Sequence, residues 1–195
     1  MTMITDYLLG GVSAWVAFFL FTGKEISKKL WAIAFAALAV SAFLGGTHHG
    51  FAIEALWRPT VLAAGVTSFG MLAGSAYATT AGTLRGILVS IAVVKLLAYW
   101  AWMLTHVEFK YVVADTGAAM IAVAVLHLCF FRNDFSKWVL GGVALSLAAA
   151  GVQAGGLALH KHFNHNDLYH VIQIAAVYFY FRGVARMRDR RSIES

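Results

Sequence analysis

Two short stretches of this chain concentrate side chains able to do chemistry. SAFLGGTHHGF brings together Ser41, Thr47, His48 and His49, and HKHFNHNDLYHVIQ brings His160, His162, His165, Asn166, Asp167, His170 and Gln173. Neutral imidazole binds Zn²⁺ well, and a catalytic zinc keeps three protein ligands with a fourth position for water. Such a zinc lowers the pKa of its water to about 7, so hydroxide forms at neutral pH and hydrolysis is the natural chemistry. His48, His49, His165, Asp167 and His170 are the candidate ligands. Ser41 and Asp115 are the candidate catalytic groups, joined by Thr47 as partners that orient ligands or stabilise an oxyanion. Plainer roles compete at each position. The histidine pair can cap a helix at an interface, Asn166 or Asp167 can serve as an N-cap, and His160, His162 and His165 can form a labile surface patch. The one cysteine, Cys129, excludes an internal disulfide and a cysteine-built metal site.

These side chains must be held by a membrane-embedded scaffold. Of 195 residues, 61% are apolar and only 12% charged, against roughly half apolar in soluble domains. At about 20 residues per span, the length accommodates six or seven transmembrane helices and no separate soluble domain. Breaks in the apolar pattern predict seven, at 4–22, 30–51, 59–79, 84–105, 109–131, 138–159 and 167–186, forming one all-α domain over 1–195. Runs such as AIAFAALAVSAFLGG are continuous rather than alternating, which excludes a β-barrel. Asp6 and the lack of a basic leader predict that the first span is retained.

The spans divide the charges by face. Eleven Lys and Arg, among them Lys28, Arg85, Arg132, Arg186 and Arg190, fall at one end, and only Arg58, Lys110 and Lys161 at the other. The positive-inside rule then predicts the N-terminus outside and the C-terminus in the cytoplasm. The net charge of +6 is thereby a topology signal rather than a nucleic-acid footprint, and ARMRDRRSIES is expected to lie near anionic headgroups. Seven of eight histidines collect at the outer ends of spans, leaving His127 toward the cytoplasmic side. Lys95 and Asp115 lie at comparable depth in the fourth and fifth spans. An intramembrane charge costs about 2.5–3.5 kcal/mol on insertion scales, so the two are expected to pair. Gln153 and Gln173 are expected to line the same polar cavity, and Trp57 and Tyr169 to belong to interfacial belts or packing.

Seven helices, histidine at the end of the second and histidine at the start of the seventh resemble the CREST superfamily of alkaline ceramidases and progestin/adipoQ receptors. The resemblance implies an intramembrane zinc and amide or ester hydrolysis in a lipid-like substrate. His48 or His49 and His170 carry over as ligands, with His165 or Asp167 supplying the third. The expected partners are the lipid bilayer, a lipid-like small molecule and a second copy of the chain, without nucleic acid, and the expected location is a cell membrane, the inner membrane of a bacterium. Two other readings stand beside it. In one, a receptor or transporter uses the outer histidines, with Lys95 and Asp115 extending a proton or metal path. In the other, two histidines hold a haem. A retinal-type receptor is disfavoured because the seventh span has no lysine.

Overall fold

The computed structural model describes residues 2–129, 134–160 and 162–191. Among them are seven α-helices and no strand: α1 (Thr2–Phe21), α2 (Ile26–Phe51), α3 (Trp57–Thr79), α4 (Gly82–Met103), α5 (Phe109–Cys129), α6 (Asp134–Ala154) and α7 (His165–Val184). A single 3-10 turn, Glu54–Leu56, precedes α3. The first six α-helices are long and apolar enough to cross a membrane, so the chain is an all-α, multi-pass membrane protein. The seventh is 20 residues long but carries His165, Asn166, Asp167, His170, Gln173 and Arg182. Arg132 and Lys161 of the charge map lie outside the described residues.

Helix ends sit where local chemistry places them. α6 stops at Ala154, short of the expected 159, because Gly156 takes φ 63°. Leu157 N–H then bonds back to Val152 and Gly156 N–H to Gln153, a Schellman closure that satisfies the last carbonyls. α7 starts at a capping box: the Asn164 side chain accepts from the Asn166 and Asp167 amides, and Asp167 accepts from the Asn164 amide. The cap residue is therefore Asn164 rather than Asn166 or Asp167.

Neighbouring pairs α1–α2, α2–α3, α3–α5, α5–α6, α6–α7 and α7–α1 close a ring of six helices, and α4 stands outside it against α3. Small residues set the close crossing of α2 and α3. A Cβ at Gly70 would lie 2.6 Å from the Leu30 carbonyl oxygen, and one at Gly74 would lie 2.5 Å from Trp31, so the G-x-x-x-G face of α3 seats directly on α2. Outward-facing Trp15, Phe18, Ile91, Val94 and Ile121 are exposed, as lipid contact requires. The expected Lys95–Asp115 pair forms at 2.5 Å and ties α4 to α5 across the gap between them.

The two ends of the ring differ. At the basic end it is packed shut by Leu20, Trp31, Tyr180 and Met187, all buried, with Trp31 and Tyr180 rings 5.2 Å apart. The segment after α7 folds across this end instead of trailing along headgroups. Asp189 accepts from the amides of Ile26 and Ser27, capping α2, whose own Glu25 makes no side-chain cap. The Arg190 guanidinium and amide donate to the carbonyls of Thr79 and Tyr77 at the end of α3, and Arg85 donates to the Arg190 carbonyl. At the opposite end, rich in histidine, the ring stays open.

Candidate functional site

A cavity of about 330 Å³ lies inside the ring toward the histidine-rich end. Leu9, Leu38, Ala42, Val112 and Phe109 form its apolar wall, and Asp6, Ser41, His49, Tyr169, His170 and Gln173 are prominent among its polar groups. Its mouth is marked by His49, which is exposed, and Trp57. His48 sits beside them, its ring 5.4 Å from His49 and 5.2 Å from Trp57, with Nδ1 against the Ile53 carbonyl.

The most developed polar cluster joins the first two turns of α1 and α7. Gly46 of α2 makes room for it: a Cβ there would fall 2.7 Å from Asp6 Cβ, so only glycine lets α1 settle this close. His170 Nε2 lies 3.0 Å from Asp6 Oδ1, and its Nδ1 lies 3.0 Å from the Thr5 hydroxyl. Thr5 has one proton and three acceptors in reach, namely the Thr2 carbonyl, His170 Nδ1 and, at 3.1 Å, Asp167 Oδ1. A carboxylate is the strongest acceptor of the three, so the hydroxyl donates to Asp167 and its lone pair receives Nδ1–H. That assignment fixes the tautomer by hydrogen bonding. The Nε2 contact with Asp6 then requires one more proton, held between imidazole and carboxylate. With that proton counted, two carboxyls against one imidazole leave Asp6, Asp167 and His170 with one net negative charge, and all three are buried. Asp6 Oδ2 is buried and has no hydrogen-bond partner among the described residues.

A second chain of bonds reaches the cavity from the core. Tyr180 donates to Ser146, Ser146 to the Gln173 carbonyl oxygen at 2.9 Å, and the Gln173 amide to the Tyr169 hydroxyl at 3.2 Å. With its oxygen accepting from Gln173, Tyr169 keeps its own proton for an acceptor in the cavity. Nearby, Gln153 donates to Asn166, and Ser41 donates to the Thr60 carbonyl.

The residues singled out from sequence are thus distributed unevenly. Ser41, His49 and His170 face one cavity, as do Gln153 and Gln173. Asp167 stands behind Thr5, with both oxygens accepting hydrogen bonds. His165 is half-buried at the start of α7, away from the lining. Asp115 turns to Lys95, while the adjacent Thr116 faces the cavity. His106 stacks on Trp102 at 3.9 Å, and the His160 and His162 rings lie 5.4 Å apart outside the site. Zinc ligation by this set requires side chains with free lone pairs. Both His170 nitrogens are in hydrogen-bond contact and each Asp167 oxygen already accepts one bond, and among the described residues no three His, Cys, Asp or Glu side chains are grouped to hold a metal ion. The residues as arranged do not fit that ion.

Sequence reasoning passed over Asp6, Thr5 and the cavity role of Tyr169. Asp6 was detectable: it is an acid inside an apolar span, and the cost argument that paired Lys95 with Asp115 demands a partner for it too. No curated protein and no solved structure matches the chain. A family of unknown function, DUF6962, matches residues 1–189, and the chain belongs to that family.

Proposed function

We propose that this is a small-molecule-binding membrane protein of receptor or transporter type, which takes its ligand into the helical ring from the histidine-rich end. The observation that carries the reading is the cavity itself. Its volume of about 330 Å³ falls in the range of small-molecule sites, and it combines a continuous apolar wall with a few placed polar groups. The asymmetry of the ring supports a single entrance, since Trp31, Tyr180 and Met187 fill the basic end. By the positive-inside rule this entrance faces the non-cytoplasmic side of a cell membrane.

The test is a thermal-unfolding screen of small polar and amphipathic compounds on protein in lipid nanodiscs. Compounds that bind in the cavity raise the unfolding temperature of the native protein and lose that effect in Ala42→Phe, which fills the cavity. Hits that act equally on Ala42→Phe, or release of hydrolysis products, contradict the reading. Uptake of a hit into protein-containing vesicles assigns a transporter, and saturable binding without uptake assigns a receptor.

A further inference from the structure

We infer that the cavity selects a protonated amine, held at Asp6, whose body carries a hydrogen-bond acceptor for Tyr169. The inference rests on the ligand-binding reading above and names the ligand's chemistry. Its first support is the unpartnered oxygen of Asp6. A buried acceptor left without a donor costs on the order of 1–3 kcal/mol, more when charged, so an occupant that supplies an N–H at this wall gains what the empty site lacks.

The second support is the charge count of the cluster. Asp167 is satisfied by Thr5 and by the Asn164 amide, and the proton between His170 and Asp6 leaves one negative charge in a buried setting. A monocation neutralises it, whereas an anion entering the same space meets a like charge with little water to screen it. The third support is directional. The hydrogen-bonded series from Tyr180 through Ser146 and Gln173 leaves the Tyr169 hydroxyl as a donor. Tyr169 adjoins His170, with ring centroids 5.2 Å apart, so donor and acceptor lie in one part of the wall. An amine with an ether, hydroxyl or carbonyl oxygen along its chain meets both. The remaining wall, from Leu9 to Val112, takes the apolar part.

Three chain-length isosteres separate these features: n-hexylamine, n-hexanol and propoxyethylamine, titrated against the protein in nanodiscs with thermal unfolding as readout. The two amines are expected to bind at least about tenfold more tightly than the alcohol, the ratio expected from one charge-assisted hydrogen bond. Propoxyethylamine should exceed hexylamine, and Tyr169→Phe should erase that difference while leaving the preference for amines. Asp6→Asn should erase the preference for amines. If Asp6→Asn does not fold, the carboxyl region of the infrared difference spectrum decides on the native protein, since hexylamine must perturb a carboxylate band there. Hexanol binding as well as the amines, with both lost in Ala42→Phe, overturns the amine inference and leaves the cavity reading standing. No binding by any of the three, together with no hit in the broader screen, overturns both. Stabilisation by Zn²⁺ or Na⁺ in place of the amines, abolished by Asp6→Asn, also overturns it and assigns the site to an inorganic cation.

Discussion

His170 Nε2 lies 3.0 Å from Asp6 Oδ1, a buried contact that joins α7 to α1 beside the bonds of Thr5 to Asp167 and His170. The amine inference depends on this junction, because it sets the charge of the wall and leaves the other, buried Asp6 oxygen without a partner among the described residues.

Removing one partner should therefore be far worse than removing both. His170→Leu strands a buried carboxylate and is expected to cost about 3–5 kcal/mol of stability, whereas Asp6→Leu with His170→Leu should recover most of it. Reversible unfolding of both variants checks this. A double variant no more stable than the single would mean that the pair is held by interactions other than their mutual contact.

The same logic applies to the pair that joins α4 to the ring. Lys95→Met leaves Asp115, whose Oδ2 is already without a partner among the described residues, with neither oxygen bonded. The expected cost is again about 3–5 kcal/mol, largely recovered when Asp115→Leu is added. Since Asp115 faces away from the cavity, ligand affinity in the double variant should stay at the native value. A change in affinity with native stability would move Asp115 back into the site.

Helix approach gives a size-dependent prediction. Gly70→Val places side-chain carbons against the Leu30 carbonyl and is expected to cost about 1–3 kcal/mol or prevent folding. Gly86→Ala, where nothing lies within 4 Å of the added carbon, should be near neutral. Gly46→Ala should be intermediate in stability but should weaken ligand binding, because it displaces Asp6. Equal stability for all three would contradict the described packing of α1 and α3 on α2.

The tail at the basic end can be probed by hydrogen exchange. Asp189→Ala removes the acceptor for the Ile26 and Ser27 amides, and loss of a helix cap costs roughly 1 kcal/mol. Exchange at those two amides should speed up by about fivefold, the factor equivalent to that energy. Unchanged exchange would show that the segment does not cap α2 in the membrane.

Much of this was legible in the residues. Apolar runs and loop charges gave the helices and the division of the ring into a basic and a histidine-rich end, because membrane insertion makes those patterns obligatory. Depth alone paired Lys95 with Asp115. The site was harder to read, since residue type does not reveal which lone pairs are already used. Asp167 and His170 have the composition of ligands, yet Thr5, Asp6 and Asn164 occupy hydrogen-bonding atoms of theirs; Thr5 and Asp6 lie on another helix, and Asn164, though within the same stretch, is not one of the residue types that bind zinc. Tyr169 likewise has the composition of an interfacial aromatic, and only the bonds through Gln173 and Ser146 make it a donor to the cavity. The tail read as a lipid anchor because charge is visible in a sequence, whereas the carbonyls and amides it caps belong to distant turns.

The central claim is that a cavity inside the ring opens toward the histidine-rich end, and thiol accessibility tests it most directly. In a Cys129→Ser background, single cysteines at Ser41, Thr116 and His49 are exposed, in sealed vesicles of known orientation, to a small membrane-impermeant thiol reagent. All three should react from the same side, fastest at the His49 mouth position, and Ala73→Cys, fully buried between helices, should not react. Labelling of Ser41→Cys and Thr116→Cys no faster than Ala73→Cys, or only from the side of the basic end, would contradict the account.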